Sequence, residues 1–329
     1  MKALQAIKRV LNHAALASLL MAAGGAGAQN AYPQKPITVL IPFAAGGALD
    51  AVGRPLGDAY GKAYGQSWII ENLGGAGGTI ATARAVRQPP DGYHLLMASS
   101  GQVSVAPFVY PSLPYHPSTD LMPIVHLVDS TAVLYTGTNS PYRSVPDLVA
   151  AAKAAPGSVD FAHTGNGSVS HLALELLQHE TGARFVAIPY KGAGIAIGDV
   201  AGGQVPLLFT YVSTARPMIE AGRVRPLAVA SEKRLASLPD VPTFAELGIK
   251  NIIAKLWIGL MASAGTPQDI IDTLSRQVNA ELAKPAMRAR LEPQGLEIKG
   301  GTARQFQDMI ARDTARWREL SQSVNLAVQ

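Results

Sequence analysis

The feature that most constrains the fold is an alternation of short apolar runs with amphipathic segments, which occurs twice along the chain. In the first set, Ile37-Thr38-Val39-Leu40-Ile41 reads as a strand. Residues 51–64 read as a helix with Val52, Leu56, Ala59 and Ala63 on one face, 68–70 as a strand, 79–86 as a helix and 93–97 as a third strand. Such a βαβαβ rhythm predicts parallel strands covered by helices on both faces. The second set begins near residue 130. A helix start at Ser144-Val145-Pro146-Asp147 is followed by strands at 159–162, 185–188, 207–210 and 224–229, with helices through Leu172, Leu176 and Leu177, near 195–200 and near 215–221.

The tail is helical. Thr266-Pro267-Gln268-Asp269 predicts an N-cap followed by Pro at the first helical position. Thr302-Ala303-Arg304-Gln305 forms a capping box ahead of Phe306, Met309, Ile310, Trp317 and Leu320. Pro55, inside the first helix, predicts a kink or a later helix start.

The first residues read as a leader. Lys2, Lys8 and Arg9 precede a short apolar run at 11–23, and Ala26-Gly27-Ala28 is a small-residue cleavage signal, which predicts a cut before Gln29. The run is shorter than the roughly 20 apolar residues of a membrane span. Without residues 1–28 the 28 basic residues become 25 against 23 acidic ones, so the net charge falls from +5 to +2. No basic block marks a nucleic-acid partner. The chain has no cysteine, hence no disulfide or thiol chemistry. Its 329 residues suffice for one two-lobed unit.

In open parallel sheets ligands bind beyond the carboxyl ends of the strands, so the strand-to-helix loops are the candidate site. Pro42-Phe43-Ala44-Ala45-Gly46-Gly47-Ala48-Leu49-Asp50 enters the first helix with two glycines, which permit close backbone approach to an anion at the helix start. Thr164-Gly165-Asn166-Gly167-Ser168-Val169-Ser170 puts neutral hydroxyl and amide donors at a second helix start. Alone, the first loop also fits a tight turn with Asp50 as a helix N-terminal charge, the second a helix capped by Ser168, and Ala98-Ser99-Ser100-Gly101 a turn. Together, one from each half, they suit two lobes closing on a small anion. Leu73-Gly74-Gly75-Ala76-Gly77-Gly78-Thr79 lacks the phosphate-loop ending and reads as a structural turn. His163, His171 and His179 are eight residues apart, unsuited to one zinc site, and read as surface or loop histidines. No G-x-S-x-G elbow or clustered carboxylates point to catalysis. No metal or cofactor is expected.

An ordered set of motifs then carries a resemblance. Tyr32-Pro33 with Lys35-Pro36-Ile37-Thr38, Pro42-Phe43 to Gly46-Gly47 and Asp50, and Glu71-Asn72 with Gly75-Ala76-Gly77-Gly78 come first. Pro90-Asp91-Gly92-Tyr93, Gly165-Asn166-Gly167 with Ser170-His171-Leu172, Pro189-Tyr190-Lys191-Gly192, residues 238–243 and 264–267 follow. The chain resembles the substrate-binding proteins of tripartite tricarboxylate transporters, the Bug family, from about residue 32 to 326. The resemblance implies an α/β, two-lobed periplasmic binding protein of type II (a Venus flytrap) with parallel-rich sheets, flanking helices and a hinge of two crossings near residues 130 and 255. That gives a signal peptide at 1–28, a first lobe of 29–130 plus 256–329 and a second lobe of 131–255.

It further implies a periplasmic monomer that is not an enzyme and passes a small carboxylate (a di- or tricarboxylate, or an aromatic or aliphatic acid) to a two-component membrane permease. A ligand-presenting adaptor for a sensor kinase and an extracytoplasmic enzyme acting on carboxylates are the alternatives. Carried over by position, the ligand-binding residues are Phe43, Ala45, Gly46, Gly47, Asp50, Ser100, Thr164, Asn166, Ser168, Tyr190, Thr210 and Tyr211, with Lys191 nearby. The family often has an acid where Thr210 stands, which predicts a preference for acids without an amine, and Arg-Pro where Leu73-Gly74 stands.

Overall fold

The computed structural model describes residues 32–323, so the leader and its cleavage site lie outside the described residues. The chain forms two separate sheets. The first has strand order β11-β4-β10-β3-β1-β2, and the second β7-β6-β8-β5-β9. The first comprises β1 (Ile37–Ile41), β2 (Trp68–Asn72), β3 (His94–Ser99), β4 (Leu121–Thr131), β10 (Lys255–Ser263) and β11 (Leu296–Ile298). The second comprises β5 (Val133–Gly137), β6 (Asp160–His163), β7 (Val186–Pro189), β8 (Leu207–Thr210) and β9 (Val224–Val229).

The expected parallel pairing holds where helices connect successive strands: β1 pairs with β2 and β3, and β6 with β7 and β8. It does not hold around the strands that the alternation left unassigned. β10 runs antiparallel to β3 and β4, β11 to β4, and β5 to β8 and β9. The sheets are therefore mixed. β4 and β10 carry near-continuous buried runs (Ile124, Val125, Leu127 and Val128; Ile258, Leu260, Met261 and Ala262), the mark of strands covered on both faces, which no period-2 pattern reveals.

The chain leaves the first sheet at Thr131, enters the second at Val133 and returns at Lys255. Three buried alanines sit where the passages meet. Ala132 N–H donates to Ala254 O (2.9 Å), Ala254 N–H to Ala230 O (3.0 Å) and Ala230 N–H to Ala132 O (2.9 Å). Each sheet has its own core. Leu40, Leu96, Ala98, Trp257 and Phe306 pack in the first, and Tyr135, Ala162, Ile197, Leu208 and Val229 in the second.

Most of the local helix signals hold. Ser144 Oγ accepts from Asp147 N–H at the start of Val145–Ala154. Thr302 and Gln305 form the reciprocal capping box of the Ala303–Ser323 helix: Thr302 N–H donates to Gln305 Oε1 (2.8 Å), and Gln305 N–H to Thr302 Oγ1 (3.2 Å). Phe306 and Trp317 of that helix are buried. Two expectations fail. The Gln268–Leu282 helix has Pro267, not Thr266, as its N-cap, because the Thr266 hydroxyl donates instead to Ser263 O (2.8 Å). The first helix spans Ala48–Tyr64, so the later start does not occur, and Pro55 lies inside the helix. Pro55 is buried there beside Val52 and Leu56, and packing of that apolar face offsets the one backbone bond proline cannot make.

Candidate functional site

Strand carboxyl ends from both sheets feed helix starts that line one crevice. The contributing residues are Phe43, Gly47, Ala48, Leu49 and Asp50 after β1, Ser99 and Gly101 at the end of β3, Thr164, Ser168 and Val169 after β6, Ala193 after β7 and Tyr211 after β8, with Leu256 of β10 behind them. Gly47, Ser168, Gly192 and Tyr211 are N-caps of the helices Ala48–Tyr64, Val169–Thr181, Ala193–Gly202 and Val212–Glu220. Of these caps only Ser168 closes its helix with a side chain. The first backbone N–H groups of a helix have no partner within it, and the helix dipole adds partial positive charge there. Several such ends meeting at one crevice make it attractive to an anion.

The first-half loop is held by a charged brace. Asp50 is 5% exposed, and its Oδ1 accepts from Arg54 Nε (2.9 Å) while Oδ2 accepts from Asn72 Nδ2 (3.1 Å). Asn72 Nδ2 also donates to Phe43 O (3.0 Å), and Arg54 Nη2 donates to Asn72 Oδ1 (2.9 Å). Asn72 thus fixes both ends of the loop. The family motif includes Asn72 but the expected binding residues do not, and its position at the end of β2, beside β1, reveals its role.

The second-half loop is held by neutral groups. Ser170 Oγ accepts from Thr164 N–H (2.8 Å) and lies 3.0 Å from Thr164 Oγ1 and 3.1 Å from Ser168 Oγ. Ser168 Oγ accepts from His171 N–H (3.3 Å), and His171 Nδ1 accepts from Gly167 N–H (3.3 Å). His163 and His171 are not surface histidines: His163 is 1% exposed, and the two rings pack with centroids 4.7 Å apart. β6 and the next helix turn both inward, which the spacing of eight does not disclose. Burial lowers both imidazoles below the usual range, and with the second ring alongside, His171 falls to about 4. His171 is therefore neutral at pH 7, as its acceptor role requires. His179 is exposed, as expected.

Of the expected residues, Phe43, Gly47, Asp50, Thr164, Ser168 and Tyr211 line the crevice. Ser100 and Thr210 sit immediately beside lining residues, with hydroxyls that are buried and have no hydrogen-bond partner among the described residues. Ala45 and Gly46 lie at an exposed lip, where Gly46 approaches Gly194 of the other half. Asn166 faces the first half, its carbonyl accepting from Tyr110 Oη (2.8 Å). Tyr190 Oη is committed to Asp199 Oδ2 (2.8 Å). Ala48, Leu49, Ser99, Gly101, Val169, Ala193 and Leu256 were not named from the sequence. Most are apolar or glycine, with no chemical signature.

Asp50 is the one charged residue of the lining. The crevice is narrow, a cavity of ≈ 30 Å³, above the roughly 10–15 Å³ that one buried water requires. A larger groove of ≈ 780 Å³ lies between residues 103–123 and the last helix, lined by Phe108, Tyr115 and Ile310 among others, away from the converging helix starts. Among the described residues, no group of three or more His, Asp or Glu side chains is arranged to hold a metal, and no helix is long and apolar enough to cross a membrane.

Two α/β halves joined by paired passages, with a crevice at the strand ends between them, define a periplasmic binding protein. The family model described as "Tripartite tricarboxylate transporter family receptor" matches residues 52–326, and the chain belongs to that family. It is 37% identical over 287 residues to the protein BugT of Bordetella pertussis, covering 87% of this chain and 88% of BugT. Among solved structures, R. palustris Rpa4515 with adipate is 31% identical with a TM-score of 0.85, covering 89% of this chain and 99% of that one. MatC (Rpa3494) from Rhodopseudomonas palustris with bound malate is 29% identical with a TM-score of 0.84, covering 88% and 99%.

Proposed function

We propose that this periplasmic binding protein captures a small carboxylate lacking an amine, in the range of malate to adipate, and delivers it as a monomer to a two-component membrane permease without chemical change. The observation that carries the reading is the convergence of uncapped helix starts on a crevice whose single charged residue, Asp50, is already paired. A carboxylate held by N–H and hydroxyl donors needs no buried counter-cation, and it satisfies donors that are otherwise left unpaired. Thr164, Ser168 and Tyr211, with the neighbouring hydroxyls of Ser100 and Thr210, supply the neutral donors. The adipate and malate complexes of the two R. palustris relatives support the ligand class.

Thr210 supplies a hydroxyl where an acid would hold an ammonium group, so amino acids are disfavoured. The halves part to admit the ligand, because their loops touch at the lip, where Ala44 N–H donates to Lys191 O. A thermal-shift panel of malate, adipate, citrate, benzoate, aspartate and glutamate tests the reading. At 100 times the dissociation constant a binding acid stabilises by about 2.7 kcal/mol. Shifts with amine-free acids and none with aspartate or glutamate are expected. The reverse pattern, or a shift with none of them, refutes it.

A further inference from the structure

The two halves touch through more than the crevice that would hold a ligand. At the lip, Ala44 N–H donates to Lys191 O across the gap (3.1 Å). A Cβ on Gly74 would fall 2.4 Å from Lys191 O, and one on Gly194 would fall 2.5 Å from Ala45 O. Deeper in, a Cβ on Gly77 would lie 2.2 Å from Asn166 O, and one on Gly165 would lie 2.6 Å from Gly77 N. The Tyr110 hydroxyl donates to Asn166 O at 2.8 Å. The glycine-rich turn after β2 therefore does more than reverse the chain: it lets backbone meet backbone at distances that any side chain would prevent.

We infer that Tyr110 and Gly77 of the first half are positioning residues for the Thr164–Ser170 loop, and that with the lip contacts they form a latch that closes the halves independently of ligand. Neither residue lines the crevice. Both act through Asn166, whose carbonyl sits between the Tyr110 hydroxyl and the Gly77 backbone. Docking Asn166 fixes Gly165 and Gly167 on either side of it, and with them the helix start at Ser168. The contacts are made by backbone and one phenol, so they are indifferent to which acid is carried. The latch thus favours closure for every ligand alike, while crevice residues discriminate among them.

Ligand-free protein tests this directly. The chain has no cysteine, so spin labels on Arg87→Cys and Lys153→Cys, at exposed positions in opposite halves, report the separation of the halves by double electron–electron resonance without background. In the otherwise unaltered protein a closed population is expected beside an open one. Tyr110→Phe should lower the closed-to-open ratio roughly three- to tenfold, the range one uncharged hydrogen bond supplies. Gly77→Ala, a wedge against Asn166, should abolish the closed population. Gly157→Ala, also at positive φ (+73°) but with nothing within 4 Å of its Cβ, controls for backbone strain and should change nothing. Melting curves confirm that each variant folds. Absence of a closed population without ligand, or distance distributions unchanged in Tyr110→Phe and Gly77→Ala, overturns the inference. Since no ligand is present, either result leaves the carboxylate reading untouched.

Discussion

The two loops that face each other across the crevice are built on opposite principles. The first, Phe43–Asp50, is braced by charge: a buried carboxylate pairs with Arg54 and with Asn72, which also holds the loop's carbonyl. The second, Thr164–Ser170, is braced by three hydroxyls and a neutral imidazole. A braced carboxylate adds negative charge beside an incoming anion. A hydroxyl and imidazole brace adds none, so the second loop is the better cradle, but it is sensitive to acid.

The largest expected effect sharpens this contrast. Gly165→Val places a β-branched residue at φ +102° and its Cβ against Gly77. Strain of roughly 3 kcal/mol should weaken carboxylate binding on the order of 100-fold by calorimetry, and a loss under fivefold would show that the second loop yields freely.

Acid comes next. The His171 pKa is depressed to about 4 when folded, against ~6.5 unfolded. The unfolded chain therefore binds the proton first as pH falls, and stability present above pH 6.5 is lost toward pH 4. At roughly 1.4 kcal/mol per pH unit, about 2 kcal/mol should disappear between pH 7 and pH 5. Denaturant melts at each pH measure it, and His171→Gln should flatten the slope; an unchanged slope in that variant would assign the acid loss elsewhere.

Smaller still, Ser168→Ala removes the acceptor that caps the second helix. About 1 kcal/mol of stability should go, visible in the urea midpoint. Asp50→Asn keeps a polar contact with Asn72 but loses the ion pair to Arg54, whose side chain is 51% exposed. The expected cost is about 0.5 kcal/mol after solvent screening, and a loss above about 2 kcal/mol would mean the charged brace bears more than its exposure allows.

The comparison also shows what the sequence could disclose. Glycine-rich segments between an apolar run and an amphipathic one located both loops, because that pattern places a helix start beyond a strand end whatever the tertiary context. Phe43, Gly47, Asp50, Thr164 and Ser168 lie in those two loops, whereas Tyr211 came only with the family resemblance. Partnerships between distant segments left no such mark. The burial of His163 against His171 depends on how β6 meets the following helix, and the docking of Gly77 on Asn166 on how the two halves meet. The antiparallel strands β4 and β10 escaped notice because both faces are covered and their residues show no alternation.

The alanine trio at the passages between the halves has a mechanical meaning. Ala132, Ala230 and Ala254 pass one hydrogen bond around a closed circuit, so no one segment can slide along its neighbours without breaking the ring. Shear between the halves is resisted, while tilting about the plane of the three peptides keeps every donor matched. The passages between the halves are thereby tied to one another as well as to their own sheets.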